Sequence, residues 1–212
     1  TNNLLTTQEL FDIESIDVLR GPQGALYGRN AIGGAILIST RQPTTVPEYA
    51  LRFNAAEGKD YAISGSASGP IGSEDVLYRA SFRVQDREGQ LTNTYLDNQY
   101  YDYKKASAFR GRLLFTPTEK LSIDLRAQYL DQDGGSGYLM PASEGYLPLP
   151  PPEPPLMFGN PVYEIQSNRI GESFVDSAEL SVKIDYDLGW GTLTSITSYT
   201  DVDSGNDQDL DQ

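Results

Sequence analysis

Seven strand-length segments that alternate apolar and polar residues constrain this 212-residue chain more than any other feature. Tyr49-Leu51-Phe53-Ala55 alternates with Ala50-Arg52-Asn54, and Tyr61-Ile63-Gly65-Ala67 with Ala62-Ser64-Ser66-Ser68. Tyr78-Ala80-Phe82-Val84 alternates with Arg79-Ser81-Arg83-Gln85, and Phe109-Gly111-Leu113-Phe115 with Ala108-Arg110-Arg112. Leu121-Ile123-Leu125-Ala127-Tyr129 and Ala178-Leu180-Val182-Ile184-Tyr186 repeat the pattern, while 192–200 is polar on both faces. A period of two gives each segment one apolar and one polar face, so the chain is expected to be mainly β. The strands are placed at 48–56, 60–69, 76–86, 104–115, 121–131, 175–187 and 192–201. Two architectures fit: a membrane barrel wall with its apolar face on lipid, or a soluble sandwich with that face packed inward.

The connections discriminate between them. Gly69 to Glu74, Thr116 to Lys120 and Leu188 to Gly191 read as brief turns, whereas 86–103, 131–173 and the segment from Asp201 are long. Brief turns on one side and long loops on the other are the pattern of outer-membrane barrels. In a barrel, Arg79, Arg83, Arg110, Arg112 and Arg126 share one face and look into a polar lumen. In a sandwich they are ordinary surface arginines. No apolar run approaches the ~18 residues of a transmembrane helix, which leaves a β-barrel open.

Residues 12–40 differ from the rest. Short apolar stretches flank a connection in which Gly21, Gly24, Gly28, Gly33 and Gly34 crowd together, too densely for the interior of a helix or strand. The segment lacks the Gly-Lys-Ser/Thr of a P-loop and the GxGxxG of a dinucleotide site. VLRGPQGALYGRNAIGGAILIST (18–40) resembles the end of the plug domain of TonB-dependent outer-membrane receptors, with Arg20, Gly21, Pro22, Gly24, Tyr27, Gly28, Gly33 and Gly34 on its signature. The resemblance implies the end of a small α/β plug, followed by about seven antiparallel strands of an incomplete transmembrane β-barrel. It implies uptake of a scarce ligand (ferric siderophore, cobalamin or oligosaccharide) across the outer membrane of a Gram-negative bacterium, with outer-membrane lipid around the wall. The energy source would be the TonB complex, engaged through plug sequence upstream of this chain. It also implies that Arg20 pairs with barrel carboxylates on later strands. The alternative from another class is a soluble or surface β-sandwich that binds carbohydrate without transport.

Around that stretch, Thr6 and Glu9 fit a capping box, so 1–10 is expected to enter a short helix. The chain opens without an initiator Met or a charged-then-apolar leader, so residue 1 is expected to lie within a mature protein. Pro43 and Pro47 resist both helix and strand. The boundary is therefore placed there, with the plug part at 1–46 and the barrel part at 47–212. If the first barrel strand rises from the periplasm, Tyr95, Tyr100, Tyr101 and Tyr103 lie outside the cell. They would either contact ligand there or pack within the loop and at the membrane interface. The proline-rich 147–156 reads as a polyproline II spacer.

Net charge is −14, and residues 131–212 hold 15 acids against 2 bases. No basic face exists for nucleic acid. The acidic 201–211 fails the EF-hand pattern, so it reads as a solvated loop and no metal is expected. With no Cys or His, thiol chemistry, disulfides and Ser-His triads are excluded. The carboxylate pair Glu74-Asp75 is expected in a turn without an apolar pocket to separate its pKa values, so no catalytic site and no cofactor are expected.

Overall fold

A computed structural model describes residues 9–27, 31–93, 96, 99–100, 102–135, 146–147, 156–157, 164–165 and 171–207. In chain order, β1 (Ile13–Arg20), a single helical turn α1 (Gly24–Tyr27) and β2 (Gly34–Thr40) come first. β3 (Glu48–Ala56), β4 (Asp60–Ile71) and β5 (Ser73–Arg87) follow. The two-residue β6 (Thr92–Asn93) and β7 (Gln99–Tyr100) precede the long β8 (Lys104–Thr118) and β9 (Leu121–Gly135). Short β10 (Tyr146–Leu147), β11 (Leu156–Met157) and β12 (Glu164–Ile165) then lead to β13 (Glu172–Asp187) and β14 (Thr192–Asn206).

β1 and β2 form an antiparallel hairpin, Ile16 opposite Ile38 and Arg20 opposite Gly34. Gly21 and Gly34 bracket its connection with φ of +86° and +147°, conformations that side chains with a Cβ rarely adopt. The glycine-rich connection nevertheless admits one helical turn, closed by Tyr27 N–H donating to the Gln23 carbonyl at 3.0 Å.

The long strands make one sheet in the order β14-β13-β9-β8-β5-β4-β3, a meander in which sequence neighbours pair antiparallel. β3 and β14 are its open edges. Register places Arg79, Arg112, Arg126 and Ser181 in one row across the sheet. The next row toward the long loops is Ser81, Arg110, Gln128 and Glu179. The hairpin lies against this polar face. Its contact nucleus is small and apolar, with Phe11 meeting Ala108, Leu130 and Val175.

The opposite face is uncovered and apolar. Leu113 is 40% exposed, Leu125 37% and Leu180 53%. No second sheet covers it among the described residues, whereas the sandwich alternative needs one. A soluble sandwich would hide those side chains, at ~25 cal/mol for each Å² of apolar surface left in water. The apolar band is also slanted. Tyr61, Asp86, Lys105, Asp133, Phe174 and Gly205 share one register row. The outward apolar residues of β14 nonetheless end at Tyr199, six positions before Gly205, with Asp201 and Asp203 between. Averaged from β4 to β14 that is roughly one residue per strand, or a tilt of ~35° at ~3.3 Å rise and ~4.8 Å spacing, with Phe174 of β13 standing above the trend at the row itself. A slant of this size suits a band held level in a bilayer by strands tilted ~35–45°.

Several sequence expectations are corrected. Glu9 and Leu10 belong to no helix, and residues 1–8 lie outside the described set. Glu74 and Asp75 are in β5, because the β4–β5 turn closes at Gly72. β14 continues to Asn206 rather than yielding to an acidic loop at Asp201, since backbone pairing with β13 persists to Ser173–Asn206. The PPII spacer lies almost wholly outside the described residues; its two ends, Leu147 and Leu156, pair instead as β10 and β11.

Candidate functional site

The site is the seam where 9–44 crosses the polar face of the wall. Inward positions of a β-strand recur every second residue, so arginines at 79 and 83, and at 110 and 112, must aim at whatever covers that face. A guanidinium taken out of water needs acceptors, and a carboxylate supplies the strongest.

Asp12 answers Arg79. Arg79 Nε donates to Asp12 Oδ2 at 2.7 Å, and Nη2 donates to Oδ1. Both side chains are buried, 6% and 8% exposed. Asp12 has φ of +52°, a left-handed conformation that Asp tolerates better than most residues. This bend closes the hairpin base, where Arg41 N–H donates to the Asp12 carbonyl at 3.2 Å.

Toward the long loops, the buried Glu9 carboxylate accepts from Arg83 Nε at 3.1 Å and from Lys104 Nζ. Arg110 differs from its neighbours in bonding only neutral acceptors, Gln128 Oε1 at 3.0 Å and the Phe11 carbonyl at 2.9 Å. Its guanidinium carbon lies 4.6 Å from the centre of the Phe11 ring, a cation–π contact. Arg112 donates to both oxygens of Asp124, at 2.9 and 2.8 Å, and to Gln42 Oε1 at 2.9 Å. Arg126 donates to Asp124 Oδ2 at 2.6 Å. Where the hairpin leaves the wall, Thr44 N–H donates to Ser68 Oγ at 2.9 Å, and Ser68 donates to the Tyr78 carbonyl at 2.9 Å. Beside the seam is a cleft of about 300 Å³ whose lining includes Ser39, Gln42, Arg112, Arg126 and Glu179.

The structure therefore brings Arg79, Arg83, Arg110 and Arg112 onto the hairpin segment, with Arg126 adjoining. Arg20 is elsewhere, exposed at the far end of β1 and without an ion pair among the described residues. Gly21, Pro22, Gly24, Tyr27, Gly33 and Gly34 form the hairpin connection, in which Tyr27 is half-exposed. Gly28, Tyr95 and Tyr101 lie outside the described residues. Tyr100 is in β7 and 36% exposed. Tyr103 sits beside the start of β8, its carbonyl accepting from Gly135 N–H at 3.0 Å. Burial, then the charges of Glu172 and Asp133, raise its hydroxyl pKa above the usual value. Sequence reading missed Glu9, Asp12, Gln42 and Asp124. The available signal was indirect: arginines repeated on one face require carboxylates opposite.

Residues 1–35 match the family model described as the TonB-dependent Receptor Plug Domain. The chain is 32% identical over 116 residues to the pesticin receptor of Yersinia pestis, covering 54% of this chain and 17% of that protein. It is 27% identical over 138 residues to the ferrioxamine B receptor of Salmonella typhimurium, covering 64% of this chain and 18% of that one. The fold superposes on the ferric yersiniabactin uptake receptor of Yersinia pestis with a TM-score of 0.75 at 18% identity, covering 94% of this chain and 30% of that structure. The chain thus spans less than a fifth of the length of these curated relatives. A docked plug hairpin, a one-sheet wall with an apolar outer face, and these matches agree: residues 1–35 match the plug domain of TonB-dependent receptors, and the chain as a whole is similar to the end of the plug and the first barrel strands of TonB-dependent outer-membrane receptors.

Proposed function

We propose that the receptor to which this chain belongs imports a chelated metal of the ferric-siderophore class, driven by the TonB complex. The observation that carries the transport reading is the seam itself. A plug hairpin joined to the wall strands only through residues 41–47 is held on their polar face by Asp12–Arg79 and by Glu9 with Arg83 and Lys104, that is, by ion pairs rather than by a packed core. Polar groups of this kind can take water in place of one another when the plug is worked on from the periplasm, which an apolar packed interface cannot do. Relatives named as receptors for ferrioxamine B and metal-pseudopaline favour a metal chelate over cobalamin or an oligosaccharide. They also favour transport over catalysis.

In this reading the plug part is 1–46 and the barrel part 47–212, with Thr44 and Pro47 at the exit. Arg79, Arg83, Arg110, Arg112 and Arg126 line the lumen, and the first four of them hold the plug. Arg20 faces strands that lie beyond this sequence. Tyr100 is the loop tyrosine available to ligand, whereas Tyr103 packs at the loop base. The test is uptake of radiolabelled iron by cells whose only such receptor is the intact protein. A panel of ferric hydroxamate, catecholate and mixed chelates should give energy-dependent uptake for at least one, abolished without TonB. Uptake of cobalamin or an oligosaccharide, with no ferric chelate transported, would overturn the ligand class.

A further inference from the structure

We propose that the seam contains a binding site for one small inorganic anion of halide size, between Asp12 and the wall strands β5, β8 and β9. A cavity of about 20 Å³ lies there, lined among others by Asp12, Arg79, Ser81, Arg110 and Arg112. Its size suits a single small particle, since ~10–15 Å³ of such space holds one water.

Charge decides which particle. Five arginines are among the lining residues, Arg79, Arg110 and Arg112 at least partly buried and Arg41 and Arg126 exposed, against the one carboxylate of Asp12. Asp124 alone serves both Arg112 and Arg126. Arg79 pairs with Asp12 and, at 4.0 Å, with Glu48; the exposed Arg41 donates to the Ile13 carbonyl; Arg110 donates only to neutral acceptors, with Asp12 and Glu179 acting on it through space. Arg110 is therefore the part-buried cation of the lining with no carboxylate bonded to it, in a setting where a charge without a bonded counter-charge is costly. A water would add hydrogen bonds and leave that imbalance; an anion removes it.

A second, independent observation points to the same place. Ser81 is 6% exposed and lines the cavity, and its hydroxyl has no hydrogen-bond partner among the described residues. A buried hydroxyl left unbonded costs free energy. Donation to an anion would satisfy it, with Arg110 and Arg112 as the flanking donors. The site follows from geometry and charge alone and does not depend on which ligand the receptor imports.

The experiment uses the intact receptor and bromide as the probe. Crystals grown in bromide, measured at the bromine absorption edge, should show an anomalous peak in this cavity within hydrogen-bond distance of Ser81 Oγ. In solution, amide exchange at Phe11, Asp12 and Arg41 should be several-fold slower in sodium bromide than in sodium gluconate at equal ionic strength. Ser81→Val, which fills the cavity, should abolish that difference; if it does not assemble, Arg110→Gln is read in its place. No peak, or equal exchange in the two salts, overturns the site. A peak without a solution effect means an adventitious ion only and overturns it equally. A salt difference that survives both substitutions assigns the effect elsewhere and also counts against it.

Discussion

The two faces of the same seven strands are built for opposite surroundings. On β9, Asp124, Arg126 and Gln128 face the hairpin, while Leu125, Ala127 and Tyr129 face away and remain partly exposed. In a soluble sheet the apolar face is the covered one. Here the polar face is covered and the apolar one bare, so the sheet separates a polar interior from lipid. The two faces should therefore answer differently to the same substitution.

The largest effect is expected on the covered face at Arg79. Arg79→Met leaves the Asp12 carboxylate buried and unpaired, which should cost about 3–5 kcal/mol of hairpin docking. Amide exchange at 11–13 and 38–41 in the intact receptor reads this, with the barrel still assembled. The double substitution Asp12→Asn with Arg79→Met should recover much of the loss; two simply additive losses would contradict the pairing. On the bare face, Leu125→Arg should cost about 2–4 kcal/mol near mid-bilayer. Ser122→Arg, three residues earlier on the lumen face and opposite Asp185, should cost much less. Urea unfolding in lipid vesicles measures both, and equal costs would erase the distinction between faces. Smaller again is Glu9→Gln, which weakens two charge-assisted bonds worth about 1.5–3 kcal/mol. It should raise exchange at 9–11 and leave 38–41 unchanged.

The smallest effect is one of pH, outside the bilayer. Tyr103 has its pKa raised in the fold, so its neutral form is the favoured one. Its contribution is complete below the ordinary tyrosine value of 10.0 and is lost as pH rises through the raised value. Ultraviolet titration of the intact receptor against Tyr103→Phe should show one tyrosine ionising later than the rest. A difference signal at or below the ordinary value would contradict the packed loop base.

Legibility in the sequence followed the range of the interactions. Strand positions and their two faces were readable because a period of two is a local property, visible within any eight residues. The slanted band was not readable, since it depends on register between strands that turn geometry and pairing fix together. The partners Glu9 and Asp12 lie 74 and 67 residues from Arg83 and Arg79, and no local signal announces a pair so distant. Glu9 carried a competing local signal, a capping pattern, and tertiary pairing won. β14 failed differently: in 201–206 only Val202 is apolar, so side-chain pattern is nearly silent, while the β13 backbone still templates the strand.

The central claim, that one sheet divides lumen from lipid, has a direct measurement. Single spin labels are placed at each position from Leu121 to Leu130 of the intact receptor in bilayers, and collision with dissolved oxygen is compared with collision with a polar nickel chelate. Oxygen contact should peak at 121, 123, 125, 127 and 129 and fall at the even positions between, with a period of two along the whole stretch. A flat profile, or maxima at 122, 124, 126 and 128, would contradict the account.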